Sequence, residues 1–194
     1  KLNTANNYRV LLDIKTFDRL KKDMALFGFQ KTNTFVSKVI CNFYDSYEKS
    51  HFTFMRVKRI IKQHVPDLSD EVATSIVKTI YKELDFKTYT TKLSNKSISV
   101  RPNKESMLVF KSIKDSFDYE NTHSVGYLIK NMLNSYAQLS NHEREKIVFK
   151  NVFELIESAI TSKWKLSIEI NGINSVYHPF SIVEALDDYG HYLF

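Results

Sequence analysis

At 194 residues, with 43% hydrophobic and 26% charged side chains, the chain can bury a substantial core, as one large domain or two small ones. One cysteine, no Cys/His cluster of zinc-ligand spacing, no apolar run near the roughly 18 residues that cross a bilayer and a polar Lys1 to Asn7 argue against a disulfide framework, structural zinc, a membrane helix and a signal sequence, so a cytoplasmic protein is expected. Charge is uneven: residues 1–150 carry 26 Lys and Arg against 16 Asp and Glu, and residues 151–194 carry 2 against 6, so the first part is expected to meet a polyanion, above all nucleic acid.

Tyr8 to Ile14 alternates as a half-buried strand, with Tyr8, Val10, Leu12 and Ile14 on one face and Arg9, Leu11 and Asp13 on the other. The period then becomes helical. Phe17, Leu20, Met24 and Phe27 form one stripe, which Gly28 stops. Thr32 or Thr34 can cap a second helix bearing Phe35, Val36, Val39, Ile40, Phe43 and Tyr47. Residues 51–86 are expected to form two further helices broken at Pro66. The first interleaves Arg56, Lys58, Arg59 and Lys62 with apolar residues, and the second starts near Ser69 and buries Val72, Ile76, Val77, Ile80 and Leu84. Residues 88–95 form a polar connector.

The opening pattern then recurs. Lys96-Ser-Ile-Ser-Val-Arg-Pro102 reads as a strand with Ile98 and Val100 inward. One helix follows from Lys104 with Met107, Phe110, Ile113 and Phe117, and another from Thr122 with Val125, Leu128, Ile129, Met132, Leu133 and Tyr136. A strand-helix-helix unit of about forty residues cannot bury its apolar side alone, so the two copies are expected to pair. Ser140 and Glu143 form a capping box for a helix beyond, and Val152, Leu155, Ile156 and Ile160 continue helical spacing to about Thr161. After Trp164 the period falls to two. Leu166, Ile168 and Ile170 lead into Asn171-Gly172, the pair preferred in a two-residue hairpin, and Asn174 to His178 returns. One or two further strands follow. A three-strand sheet with an open apolar edge is expected there, completed by residues beyond 194 or by another chain.

These units resemble ribbon-helix-helix modules, in which two copies pair their strands into an antiparallel ribbon that enters a DNA major groove. Ile98-Ser-Val-Arg-Pro102 and Tyr136-Ala-Gln-Leu-Ser-Asn-His-Glu-Arg-Glu-Lys-Ile147 resemble ribbon-helix-helix proteins that carry a WYL domain. Ala159-Ile160, Leu166, Ile168, Gly172, Pro179, Ile182 and His191-Tyr192-Leu193 resemble the opening strands of the WYL domain, a small SH3-like or Sm-like barrel. In the triplet that names that domain, His191 stands where Trp is usual. The resemblance implies an α+β, mostly helical fold: tandem ribbon-helix-helix units at 1–50 and 96–139 paired as an intrachain pseudo-dimer, a two-helix insert and connector at 51–95, linking helices at 140–162, and the first strands of a WYL-like β domain at 163–194. It also implies a transcriptional regulator binding DNA, or a single-stranded-RNA-binding accessory protein of an RNA-targeting CRISPR system. The family's ligand pocket lies on later strands that this sequence does not include.

The expected nucleic-acid contacts are the outward ribbon residues Arg9, Leu11, Ser97, Ser99 and Arg101, with Lys96 and Lys15 beside them. Asp13 fits this face badly, because phosphates repel a carboxylate. Helix starts at Thr32, Asn33 and Thr34, and at Thr122, His123 and Ser124, are expected to hold backbone phosphate or simply to cap their helices. Arg56 and Arg59 lie on a face that either contacts phosphate or is solvated. No catalytic motif, cofactor site or metal site is expected; the six histidines lie apart, no Gly-rich phosphate loop occurs, and Cys41 sits on a core helix as an inert thiol. The partners expected are DNA or single-stranded RNA, with a homo-oligomer or a partner chain completing the last sheet. The rival class is an assembly module that binds protein alone.

Overall fold

The structure, a computed structural model, describes residues 7–83, 96–104, 106–120, 125–184 and 191–193. These are mostly helical with short antiparallel strand pairs and, among the described residues, no closed barrel. The chain divides into two compact units, residues 1–137 and 138–194. None of the described helices is long and apolar enough to cross a membrane.

The first unit opens with β1 (Tyr8–Leu12), α1 (Ile14–Leu26), α2 (Thr32–His64) and α3 (Asp70–Glu83), and continues with β2 (Lys96–Val100), α4 (Met107–Glu120) and α5 (Val125–Gln138). β1 and β2, far apart in sequence, pair antiparallel with Tyr8 opposite Val100, Val10 opposite Ile98 and Leu12 opposite Lys96. Because strand side chains alternate, this register puts Val10, Leu12, Ile98 and Val100 together on the buried face. Each such burial contributes about 1.5–3 kcal/mol. Tyr8 extends the layer by stacking on Phe110, with ring centroids 5.7 Å apart.

The helices that follow the two strands, α1 and α4, also start alike. The Asp13 carboxylate accepts from the Thr16 amide at 2.8 Å, and the Asn103 side-chain oxygen accepts from the Ser106 amide at 2.8 Å. Asp13 is therefore the N-cap of α1 rather than an outward strand residue, and Ile14 is helical and exposed rather than inward. A carboxylate relieves more unpaired helix amides than it could at a strand end, so the strand stops at Leu12. At the other end of α1, Gly28 takes φ +75, and the Phe29 amide reaches back to the Met24 carbonyl at 2.9 Å, the Schellman arrangement that glycine permits.

Phe35, Val36, Val39 and Ile40 of α2 and Ile129, Met132, Leu133 and Tyr136 of α5 supply half of the remaining buried apolar residues of this unit. Phe35 meets Phe29 and Tyr136 edge-on at 5.2 and 6.4 Å. The Tyr136 hydroxyl donates to the buried Asp23 carboxylate at 3.0 Å. The helix expected to end before residue 51 instead runs unbroken to His64. No glycine or proline lies between Phe29 and Val65, so nothing terminates it until Pro66. α3 turns its Ala73 and Val77 inward, while the expected core residues Val72, Ile76 and Ile80 are exposed and Leu84 lies outside the described residues.

The second unit holds α6 (Asn141–Val148), α7 (Lys150–Ser162), β3 (Leu166–Ile170), β4 (Ile173–Tyr177), β5 (Ile182–Glu184) and β6 (His191–Leu193). Ser140 caps α6 with the full reciprocal box to Glu143. The buried Arg144 guanidinium donates to the Leu139 carbonyl and, at 2.6 Å, to Asn141 Oδ1. Phe153 and Ala159 are the buried side of α7, whereas Val152 and Leu155 of the helical spacing face outward. The β3–β4 hairpin turns through Asn171 and Gly172, both at positive φ, with Ile170 opposite Ile173. β5 pairs with β6 in a separate ribbon, so the expected three-strand sheet is two two-stranded ones. Gly172→Ala is expected to destabilise the hairpin by about 1 kcal/mol, since φ +79 strains any side chain although open space surrounds the position; thermal unfolding measures it.

Candidate nucleic-acid interface

The strand alternation that buries Val10 and Ile98 turns Arg9, Leu11, Ser97 and Ser99 to the opposite, exposed face of the ribbon. Arg9 Nε donates to the Ser97 hydroxyl at 3.0 Å, which lays the guanidinium across the ribbon and leaves the four N–H bonds of its terminal nitrogens on an exposed side chain. The Ser99 hydroxyl donates to Asn7 Oδ1. Lys96 is exposed at the end of the ribbon, and Lys15 is exposed on the first turn of α1. With Asp13 withdrawn into its cap, the face carries the Arg9 guanidinium, the Ser97 and Ser99 hydroxyls and the exposed Leu11. It has no acidic side chain on either strand.

Arg101 follows β2 and is held by Asn33 at the start of α2. The Arg101 amide donates to Asn33 Oδ1 at 2.7 Å, and Asn33 Nδ2 donates to the Arg101 carbonyl at 3.0 Å. This pair of hydrogen bonds ties the end of the ribbon to the helix start while the Arg101 side chain is exposed. The position before α2 is Lys31, which makes no side-chain cap bond. Neither Thr32 nor Thr34 acts as the N-cap expected from the sequence; both lie inside the helix, and the Thr32 hydroxyl instead accepts from Lys21 Nζ at 2.9 Å. The first amides of α2 thus lack a capping side chain, and an ammonium and an arginine backbone are fixed beside them. Such an end attracts anions through its unpaired N–H groups and the positive pole of the helix.

The sequence points to Arg9, Leu11, Ser97, Ser99 and Arg101 by strand alternation and to Thr32, Asn33 and Thr34 by helix-start chemistry, and the structure brings both sets to one end of the unit through the Asn33–Arg101 bonds. Lys21 and Lys31 are additions. Their signal, a missing cap residue before Thr32, is visible only once the helix start is fixed. Thr122, His123 and Ser124 lie outside the described residues.

Arg56 and Arg59 are exposed farther along α2. Their neighbours Lys58 and Lys62 have a structural role, both reaching the Asp70 carboxylate of α3 at 2.6 and 3.3 Å. Hydrogen bonds from Lys58 and then Lys62 hold the Asp70 pKa below the ordinary aspartate value. A depressed carboxylate contributes stability that is present above its unfolded pKa and is lost as pH falls through the lower folded one. Hydrogen exchange of the α3 amides is therefore expected to speed up only at strongly acidic pH in the parent, and Asp70→Asn is expected to remove that pH dependence; the effect is small and salt-screened because the pair is exposed. Among the described residues no three His, Cys, Asp or Glu side chains converge to hold a metal ion.

No family model and no curated protein matches the sequence. A solved structure, "Crystal structure of a CRISPR Cas-related protein", is similar over 100% of this chain, with a TM-score of 0.60 and 17% identity. The chain spans 57% of the length of that protein. At that identity the likeness is one of fold alone.

Proposed function

We propose that the chain is a nucleic-acid-binding regulatory protein that acts by binding and performs no chemistry. In this reading two ribbon-helix-helix units pair within one chain, and residues 163–194 are the opening strands of a WYL-like β domain. The observation that carries the proposal is the β1–β2 ribbon, with Arg9, Lys96, Ser97 and Ser99 exposed and Arg101 tied by Asn33 to the uncapped start of α2. A two-stranded antiparallel ribbon fits a major groove, and an uncapped helix start beside cations suits the flanking phosphate.

Within this class, the likeness to a CRISPR Cas-related protein supports an accessory role in a CRISPR system; the resemblance in the sequence offers single-stranded RNA as the target of such a protein, and duplex DNA as the target of a WYL-type transcriptional regulator. The two are separated by measuring affinity for a single-stranded RNA and for duplex DNA of the same sequence at one fixed salt concentration. An accessory protein prefers the RNA and a ribbon reader prefers the duplex. Loss of all nucleic-acid binding at low salt, with elution as a stable oligomer, overturns the proposal in favour of an assembly module.

A further inference from the structure

The β1–β2 ribbon is built around an approximate twofold axis. Val10 stands opposite Ile98 at its centre, so rotation about that point carries Arg9 onto Ser97, Leu11 onto Ser99 and Leu12 onto Val100. On the inner face the symmetry holds. Val10 and Ile98, and Leu12 and Val100, are buried aliphatic pairs, and a side-chain oxygen of Asp13 or Asn103 starts the helix that follows each strand. On the outer face it fails at both positions, with a guanidinium at Arg9 against a hydroxyl at Ser97 and an isobutyl group at Leu11 against a hydroxyl at Ser99. Burial requires apolar residues on both strands of the inner face, whereas nothing in the packing constrains the outer one.

Hydrogen bonding deepens the asymmetry. The Ser97 hydroxyl accepts from Arg9 Nε at 3.0 Å and the Ser99 hydroxyl donates to Asn7 Oδ1, so each serine has a partner within the chain. Arg9 keeps the N–H groups of its two terminal nitrogens, and Leu11, 48% exposed, offers its methyl groups.

The groups able to tell one base pair from another are therefore concentrated on β1. A guanidinium donates to O6 and N7 of guanine, and an aliphatic side chain packs on the 5-methyl group of thymine. A serine hydroxyl donates and accepts, so it suits several bases and specifies none strongly.

Resting on the nucleic-acid reading above in its duplex form, we infer that one chain reads a non-palindromic DNA site in a single orientation. Arg9 and Leu11 lie over the specified half, which holds a guanine and a thymine, and Ser97 and Ser99 lie over a loosely read half. A ribbon built from two identical chains presents the same side chains on both strands, so its site must be an inverted repeat. A chain that supplies both strands itself is free of that constraint.

Selection by the whole chain from a pool of DNA duplexes with a randomised centre tests this. The enriched sequences are expected to share a guanine and a thymine in one half, to lack an inverted repeat, and to bind one chain per duplex by native mass spectrometry. Exchanging the guanine or the thymine for another base is expected to weaken binding about tenfold, and exchanges in the other half to cost less. Deoxyuridine in place of that thymine removes only the 5-methyl group, so it is expected to weaken the parent and to leave Leu11→Ala unaffected. The combined variant Ser97→Arg and Ser99→Leu gives both strands the same outward residues at exposed positions, and is expected to select an inverted repeat. An inverted repeat or two chains per duplex with the parent, duplex binding without a shared sequence, or the parent's consensus kept by the combined variant overturns the inference and leaves the nucleic-acid reading standing. Binding confined to single-stranded RNA does the same. Absence of binding to either nucleic acid overturns both.

Discussion

Phe35→Ala is expected to lower the stability of the first unit by about 3–5 kcal/mol, a large share of the roughly 5–15 kcal/mol by which a domain is folded. The ring is fully buried where α2 meets the rest of the core, with Phe29 and Tyr136 both edge-on to it. Alanine removes the apolar surface and leaves a cavity whose lining includes two aromatic rings that cannot both collapse inward. Tyr136→Phe is the milder comparison. It keeps the ring and withdraws one hydrogen bond from the buried Asp23 carboxylate, for an expected loss of about 1–3 kcal/mol. Urea unfolding followed by circular dichroism checks both, and a Phe35→Ala midpoint close to that of the parent would show that this aromatic cluster is not the keystone of the unit.

The combined variant Arg9→Ala and Arg101→Ala is expected to weaken duplex DNA binding about a hundredfold, taking roughly 1.4 kcal/mol for each guanidinium, near the low end of what a single arginine contact contributes. Both side chains are exposed and their backbones lie in ordinary strand or strand-end conformations, so the fold is expected to be unchanged. The salt dependence is the sharper readout. Each lost phosphate contact lowers the slope of log affinity against log salt by about 0.9 on duplex DNA and about 0.7 on a single strand. Two lost contacts therefore give a slope shallower by about 1.8 or 1.4. Unchanged affinity for both duplex DNA and single-stranded RNA would count against the ribbon as the contact surface. Asn33→Ala tests the support beneath it: Arg101 keeps its charge but loses its tie to α2, so affinity is expected to fall part of the way.

What the residues fix by themselves is the part governed by near neighbours. Alternation in Tyr8 to Leu12 and Lys96 to Val100, the box between Ser140 and Glu143, the stop at Gly28 and the Asn171-Gly172 turn all depend on side chains within a few positions of the backbone they shape. The outward face of the ribbon follows from the same alternation, which is why Arg9, Ser97 and Ser99 are legible without coordinates. Where one element ends and the next begins, and which distant elements meet, decided the rest. Asp13 looks like a strand residue until the start of α1 is known, and Asn33 looks like a helix-start anion ligand until Arg101 is brought beside it. Which apolar stripe of α3 is covered, Ala73 and Val77 rather than Val72 and Ile76, depends on where α2 lies, because an amphipathic helix with a wide apolar face does not specify which edge its neighbour will meet. Periodicity encodes a face; only packing chooses the partner that covers it.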